Sequence, residues 1–184
     1  MSSVNNMLRQ IKTIFKGRNV KPCLQPTELD FFYINDSEIR GKCILLETVE
    51  DETNLFKVIN PSQKTIVLFA VDGCFIGKGK PPKHCDCIFF DDRAFCFAEM
   101  KFNSTTTSDL RMQDNRTEAI SQLQSTINIF RTAFDNNFLG FELEAYVCTP
   151  DYYPKEDSSI KSQRIDFLEN FGVKLFEKNE RTFL

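Results

Sequence analysis

Hydrophobic side chains recur along parts of this chain at the spacing of a helix. Near the N-terminus the apolar positions are Met7, Leu8, Ile11, Ile14 and Phe15, and Gly17 follows as a stop signal. A second stripe comprises Ile120, Leu123, Ile127, Phe130 and Phe134. Its regular spacing predicts a helix that packs one face on a core. The sequence RIDFLENF, at 164–171, predicts a third helix.

Shorter apolar runs bounded by polar turns predict strands. They are KTIVLFAVDG (64–73), HCDCIFF (84–90), AFCFAEMKF (94–102) and FELEAYVCT (141–149). A final segment, GVKLFEKNERTFL at 172–184, also predicts a strand. The pattern is harder to assign between 18 and 61, where 43–49 favours a strand and 50–60 favours a short helix.

The order of these elements predicts the fold class. Three strands, a helix and a fourth strand follow one another between residues 64 and 149. Two strands joined by a helix tend to pair in parallel within one sheet. We therefore expect a single α/β domain over 1–184, in which helices flank a mixed central sheet, with a helical N-terminal region at 1–60.

The most informative stretch is the predicted hairpin KHCDCIFFDDRAFCFAEMKF at 83–102. Side chains alternate between the two faces of a strand, so Glu99 and Lys101 share one face. An even-numbered loop at 91–94 fixes the register of the hairpin. The opposed pairs are then Phe90–Phe95, Ile88–Phe97, Asp86–Glu99 and His84–Lys101. Opposed residues have Cβ atoms about 4.5–5.5 Å apart, so two carboxylates and an ammonium group converge at one end of the hairpin.

This convergence predicts a site for a divalent cation. Two close carboxylates repel each other unless a cation lies between them. Mg²⁺ or Mn²⁺ suits the position, because such ions bind one or two carboxylates together with waters and substrate phosphate. The ion would polarise a phosphoryl oxygen and activate a water, and Lys101 would position that water or stabilise the developing charge. The main-chain carbonyl of Met100 is a further predicted ligand.

An Asp on one strand, a tight hairpin and Glu-x-Lys near the end of the next strand resemble the signature of the PD-(D/E)xK phosphodiesterases. This superfamily includes restriction endonucleases, Holliday-junction resolvases and RecB-type and phage exonucleases. The resemblance covers residues 64–149 and implies a restriction-endonuclease-like fold, with Asp86 and Glu99 as metal ligands and Lys101 as the catalytic lysine. It also implies cleavage of nucleic acid, DNA rather than RNA, and a role in restriction or phage defence.

Other parts of the signature are less complete. The prolines closest to Asp86 are Pro81 and Pro82, which do not directly precede it. RecB-type members carry a Gln on the helix after the Glu-x-Lys strand, and here Gln122 is the first candidate and Gln124 the second. The Tyr that often follows this Gln is absent. Many members add an acidic residue from upstream, and the sequence leaves four candidates open: Glu28, Glu47, Glu50 and Glu52.

Composition narrows the expected partners and location. The net charge is −3 and the isoelectric point about 5.3, whereas phosphate binding favours a basic surface, so we expect targeting by a protein partner or by a homodimer. The loop GKGKPPK at 77–83 suits phosphate binding and a solvated turn equally well. Seven cysteines without a spaced framework, no leader-like apolar run and no stretch of ~20 apolar residues predict a cytoplasmic protein with free thiols and no membrane contact.

The same residues allow other interpretations. Cys85, Cys87 and Cys96 are expected on the opposite face of the hairpin, where their spacing favours small core residues over a metal site. His84 is expected to be a partly exposed residue at the start of a strand. Asp86, Glu99 and Lys101 also match a surface salt-bridge cluster. The chain would then be a catalytically inactive scaffold or regulatory subunit, or an unrelated α/β interaction domain.

Overall fold

The computed structural model describes residues 3–77, 81–138, 140–154 and 158–184. The helices in these ranges are α1 (Ser3–Ile14), α2 (Asp109–Ala133) and α3 (Ser158–Phe171). The strands are β1 (Leu24–Thr27), β2 (Phe31–Ser37), β3 (Lys42–Leu46), β4 (Phe56–Ile59), β5 (Ile66–Ala70), β6 (Cys87–Phe90), β7 (Ala94–Met100), β8 (Glu142–Cys148), β9 (Lys174–Phe176) and β10 (Glu180–Thr182). The protein is therefore of the α/β class, as the sequence predicts.

The strands form two sheets. The larger has the order β1-β5-β6-β7-β8-β9, in which β1, β5, β6 and β7 pair antiparallel while β7, β8 and β9 pair in parallel. The smaller has the order β10-β4-β2-β3. Helix α2 connects β7 to β8, and the parallel pairing expected across that helix is confirmed.

Alternation along β7 separates two hydrophobic cores. Phe95 and Phe97 point to the core that α1, α2 and α3 cover. Cys96 and Ala98 point to the core between the two sheets. The six-stranded sheet is thus buried on both faces, with helices on one side and the four-stranded sheet on the other. This explains why β5, β6 and β7 are apolar at nearly every position instead of alternating with polar residues.

The expectation of a helical region at 1–60 is only partly correct. Helix α1 forms as predicted, but the rest of the region contributes β1 to β4. The segment 50–60, predicted to be a short helix, contains strand β4 instead. Phe56 and Val58 are buried on one face of this strand, which completes its hydrogen bonds with β2 and β10. Those partners are distant in sequence, so local pattern did not reveal them.

Two further expectations are corrected. The single strand predicted at 172–184 divides into β9 and β10, which belong to different sheets. Cys23 and Cys74 form a disulfide with a Cα–Cα distance of 5.6 Å, so these two thiols are not free. The antiparallel pairing of β1 with β5 brings the two cysteines together from positions 51 residues apart. Among the described helices, none is long and apolar enough to cross a membrane.

Candidate active site

Asp86 lies directly before β6 and is held by main-chain groups. The observed pairs Ile88–Phe97 and Phe90–Phe95 confirm that part of the predicted hairpin register, but the ladder ends at Cys87–Ala98 and does not include the predicted pair Asp86–Glu99. Asp86 Oδ2 accepts a hydrogen bond of 2.6 Å from the amide of Met100, across the hairpin. Its main-chain carbonyl accepts the amides of Val71, at 2.9 Å, and Asp72, at 3.2 Å. The carboxylate is therefore fixed beside the end of β7, next to Glu99.

Glu99 and Lys101 face helix α2, as strand alternation predicts. Lys101 Nζ lies 2.9 Å from Glu99 Oε1 and donates a hydrogen bond of 2.7 Å to Gln122 Oε1. Gln122 Nε2 donates in turn to the main-chain carbonyl of His84, at 3.0 Å. The structure thus places Gln122, the first candidate for the glutamine of the signature, in hydrogen-bond contact with Lys101. Gln124 follows two positions later, which places it about 200° around the helix, away from this contact.

The two acids are largely removed from water, and one oxygen of Glu99 has no partner among the described residues. Glu99 is 2% exposed and Asp86 8% exposed. Glu99 Oε2 is buried and accepts no hydrogen bond from the described residues. Burial raises the pKa of Glu99 to about 7, against the opposing influence of Lys101. Burial, and then the charge of Glu99, raise the pKa of Asp86 well above its usual range. The pair would therefore gain from a further cation.

A third acid, Asp36 on the smaller sheet, acts on the pair through its charge. It continues the inward face of β2 that Phe32 and Ile34 begin, since alternate residues share a face. Its charge contributes to the raised pKa of both Asp86 and Glu99. Sequence analysis missed it because β2 was not recognised. The period of two from Phe32 to Asp36 was the available signal.

The four upstream glutamates considered from sequence make other contacts or lie at the surface. Glu28 Oε1 accepts the Thr65 hydroxyl at 2.9 Å. Glu52 accepts the Tyr33 hydroxyl at 2.6 Å and pairs with Lys57 at 3.2 Å. Glu47 and Glu50 are exposed. Asp36 is an upstream acid whose charge acts on both Asp86 and Glu99.

Glu118 and Lys83 are further charged residues at the site. Sequence analysis considered Lys83 only as part of the loop at 77–83 and missed Glu118. Glu118 is on α2, one turn before Gln122, and its Oε2 lies 3.6 Å from Lys101 Nζ. Lys83 Nζ pairs with Glu118 Oε1 on the solvent side. The spacing of four residues between Glu118 and Gln122 places them on one face of the helix, and that spacing was a usable signal.

The residues present fit Mg²⁺ or Mn²⁺ better than a metal held entirely by protein. No group of three or more His, Cys, Asp or Glu side chains with metal-binding geometry occurs in the described ranges. Two carboxylates, one with a buried oxygen that no described residue contacts by a hydrogen bond, match an ion that keeps several waters and takes further ligands from its substrate. Met100 donates its amide to Asp86, and its carbonyl stays a predicted ligand.

The expected shared face of the three cysteines is wrong. Cys87 and Cys96 lie in the core between the sheets, but Cys85 lies in the core under the helices. Regular pairing begins only at Cys87, so the alternation does not extend back to Cys85. The amide of Cys85 instead donates to Thr126 Oγ1 of α2, at 2.8 Å. All three thiols are buried, as small core residues would be.

His84 also differs from expectation, because it is buried rather than partly exposed. The ladder ends at the pair Cys87–Ala98, so His84 does not face Lys101 in the sheet. Burial lowers the pKa of its imidazole, with a smaller opposing influence from Asp72. His84 reaches the site through its carbonyl alone, which Gln122 binds.

One groove lies apart from the predicted site residues. A groove of about 850 Å³ is lined by Tyr33, Asp51, Glu52, Thr53, Asn54, Leu55, Lys57, Pro150, Asp151, Tyr152, Glu177, Lys178, Asn179 and Glu180. Neither Asp86 nor Glu99 lines this groove, so its volume does not indicate where the predicted chemistry takes place. In the loop predicted at 77–83, positions 78–80 fall outside the described residues.

Comparisons with known proteins add no relative. No family model, no curated protein and no solved structure matches the chain. Any function must therefore be argued from the geometry of the site.

Proposed function

We propose that this protein is a metal-dependent nuclease that hydrolyses phosphodiester bonds, with DNA favoured over RNA as substrate. The main support is the buried pair Asp86 and Glu99 beside Lys101, in which one oxygen of Glu99 has no partner among the described residues. A stable protein gains little from burying two acids with one lysine, since burying charge is costly. Such an arrangement is typical of a functional site.

Each residue has a distinct proposed role. Asp86 and Glu99 would bind Mg²⁺ or Mn²⁺, which supplies a polarised phosphoryl oxygen and a water of lowered pKa when bound. Lys101 would place its ammonium against the attacking water or the charge that develops on phosphorus. Gln122 would orient Lys101, because its amide joins Nζ to the main chain of His84. Asp36 would add negative charge that favours the cation.

The proposal also includes a specific fold within the α/β class. Antiparallel β5, β6 and β7, followed by α2 and a parallel β8, supply the element order of the restriction-endonuclease-like fold to which the sequence has a resemblance. An acidic chain needs help to hold a polyanion, so we also propose a protein partner or a homodimer that supplies basic surface. The proposed cytoplasmic location requires that the Cys23–Cys74 bond be protected from reduction there.

Cleavage assays test this function directly. Plasmid and single-stranded DNA, and RNA of matched length, would be incubated with the protein and Mn²⁺. We expect cleavage that EDTA stops, and a loss of about a thousandfold or more in Asp86→Ala, Glu99→Ala and Lys101→Ala, as for residues that act together in catalysis. Near-ultraviolet circular dichroism would confirm folding. Equal activity in the wild type and all three variants would exclude this site.

A second candidate is a nuclease-like scaffold without catalysis. It is favoured by the direct Lys101–Glu99 ion pair, in which the lysine itself neutralises the carboxylate. Calorimetric titration separates the two candidates. No binding of Mg²⁺ or Mn²⁺ at millimolar concentration, together with no cleavage, would favour the scaffold.

A further inference from the structure

Lys101 has two acidic partners that approach it from different elements. On its own strand, Glu99 Oε1 lies 2.9 Å from Nζ. From helix α2, Glu118 Oε2 lies 3.6 Å from the same nitrogen. The neutral amide of Gln122, at 2.7 Å, holds the nitrogen between them. Both carboxylates therefore already lie within ion-pair distance of Nζ.

The two carboxylates differ in what else is available to them. Glu99 is buried and its second oxygen has no partner in the described part of the chain, so it is the carboxylate a divalent ion would use. Glu118 is 40% exposed and already pairs with Lys83, whose side chain is 64% exposed. A cation on Glu99 repels the ammonium of Lys101, which is bound to the other oxygen of the same carboxylate. The ammonium then needs another anion close by, and Glu118 is already within reach.

We propose that Glu118 is a positioning residue that takes over Lys101 when a divalent cation binds Glu99, and that Lys83 sets how available Glu118 is for this exchange. The inference rests on the proposed function, because it concerns the same cation. It assigns a regulatory role to two residues that would not touch the ion. In this scheme Lys83 and Lys101 compete for one carboxylate.

A double-mutant cycle on metal affinity tests the proposal without relying on activity. Mn²⁺ would be titrated calorimetrically into the wild type, Glu118→Gln, Lys101→Met and the double variant. We expect Glu118→Gln to weaken binding about tenfold when Lys101 is present, because the ammonium then stays on Glu99. In the Lys101→Met background the same change should alter affinity less than about twofold, because no ammonium needs a new partner.

The background comparison separates exchange from general electrostatics. If Glu118 attracts the ion only through its charge, removing that charge weakens binding by the same factor in both backgrounds, and the proposal is overturned. Lys83→Met provides a second, independent test, with an expected change of opposite sign. It frees Glu118 for Lys101 and should tighten binding a few-fold with Lys101 present but leave it nearly unchanged in Lys101→Met; an equal gain in both would also overturn the proposal.

Failure of the proposed function would look different. A wild type that binds no Mn²⁺ overturns both the metal site and the exchange, whereas binding with an additive cycle overturns the exchange alone. If the protein cleaves DNA, Glu118→Gln should lower kcat more than it raises KM at saturating Mn²⁺, and Glu118→Asp should restore part of the loss. Equal kcat in the wild type and Glu118→Gln would contradict a positioning role.

Discussion

Two buried glutamates of the six-stranded sheet, Glu99 on β7 and Glu144 on β8, have opposite surroundings. Glu144 Oε2 accepts hydrogen bonds from Arg181 Nε, at 2.7 Å, and from the Tyr146 hydroxyl, at 2.6 Å. Its Oε1 accepts from Arg181 at 3.2 Å, so both oxygens are satisfied. Glu99 has Lys101 on one oxygen and no partner from the described residues on the other.

The difference shows how a buried carboxylate can be classified. Both glutamates lie in strands and both have a basic partner, so neither burial nor a salt bridge separates them. They differ in whether both carboxylate oxygens have hydrogen-bond partners, and in whether other acids lie nearby. Glu144 is paired by a guanidinium that matches its shape. Glu99 shares one ammonium with Glu118, and the charges of Asp86 and Asp36 act nearby. The first arrangement stabilises the fold, and the second leaves capacity for a ligand.

The largest expected effect on stability comes from Glu144→Ala. This change leaves Arg181 and the Tyr146 hydroxyl without their acceptor at a buried position. We expect a loss of about 3–5 kcal/mol in the free energy of unfolding, measured by urea denaturation. Binding of Mn²⁺ should persist in whatever fraction stays folded. A loss below about 1 kcal/mol would mean that Glu144 is not the structural member of the comparison.

The next effect concerns the pH dependence of stability. Burial raises the pKa of Glu99 to about 7, so the folded protein holds this proton more tightly than the unfolded chain does. Unfolding free energy should therefore fall as pH rises from about 4.5 to 7 and change little from this cause above 7. Over that pH range the unfolding free energy of Glu99→Gln should rise relative to that of the metal-free wild type, by about 3 kcal/mol at most.

Denaturant titrations at several pH values measure this difference. The charge of Glu99 also contributes to the raised pKa of Asp86, so Glu99→Gln removes that contribution too and shifts the comparison in the same direction. Parallel pH profiles for the wild type and Glu99→Gln would show that Glu99 is not strained by burial.

Gln122→Ala should have a smaller effect on stability and a clear one on function. It removes the bonds to Lys101 and to the carbonyl of His84, and we expect about 1 kcal/mol of destabilisation. Metal-dependent cleavage should fall about 10- to 100-fold, because Lys101 loses its fixed position. Gln124→Ala, on another face of α2, is the matched control and should leave cleavage within about twofold. Equal losses in both variants would contradict the orienting role.

The smallest effect should come from Lys174→Ala. Lys174 pairs with Glu142, on the same strand as Glu144, but both side chains are about half exposed. Exposed pairs contribute little, so stability should change by no more than about 0.5 kcal/mol, measured by urea denaturation. A larger change would mean that the position on β8, and not burial, decides what an ion pair contributes.

Local pattern was enough to predict the hairpin and the lysine with its Gln. The register of β6 and β7 follows from alternation and an even loop, and the position of Gln122 follows from the helix after β7. These contacts involve neighbouring elements, so sequence spacing determines them. Nothing tests the chemical roles assigned to these residues, which stay predictions.

Contacts between segments far apart along the chain could not be predicted from the sequence. The charge of Asp36 acts on the site because β2 belongs to a second sheet, which depends on β4 and β10. Arg181 pairs with Glu144 from 37 residues away, and no spacing rule indicates that. Cys85 and Cys87 lie on different faces because strand β6 begins only at Cys87, so its regular alternation does not extend back to Cys85. In each case tertiary packing, rather than local propensity, determined the outcome.

The most direct test of the account is to locate Mn²⁺ in crystals of the protein by anomalous scattering. We predict one strong peak between the carboxylates of Asp86 and Glu99, about 2.0–2.3 Å from their oxygens, with Lys101 moved away from Glu99. The carboxylate of Glu144 should have none. A map with no peak at the Asp86–Glu99 pair, and with Lys101 still on Glu99 at saturating Mn²⁺, would contradict the account.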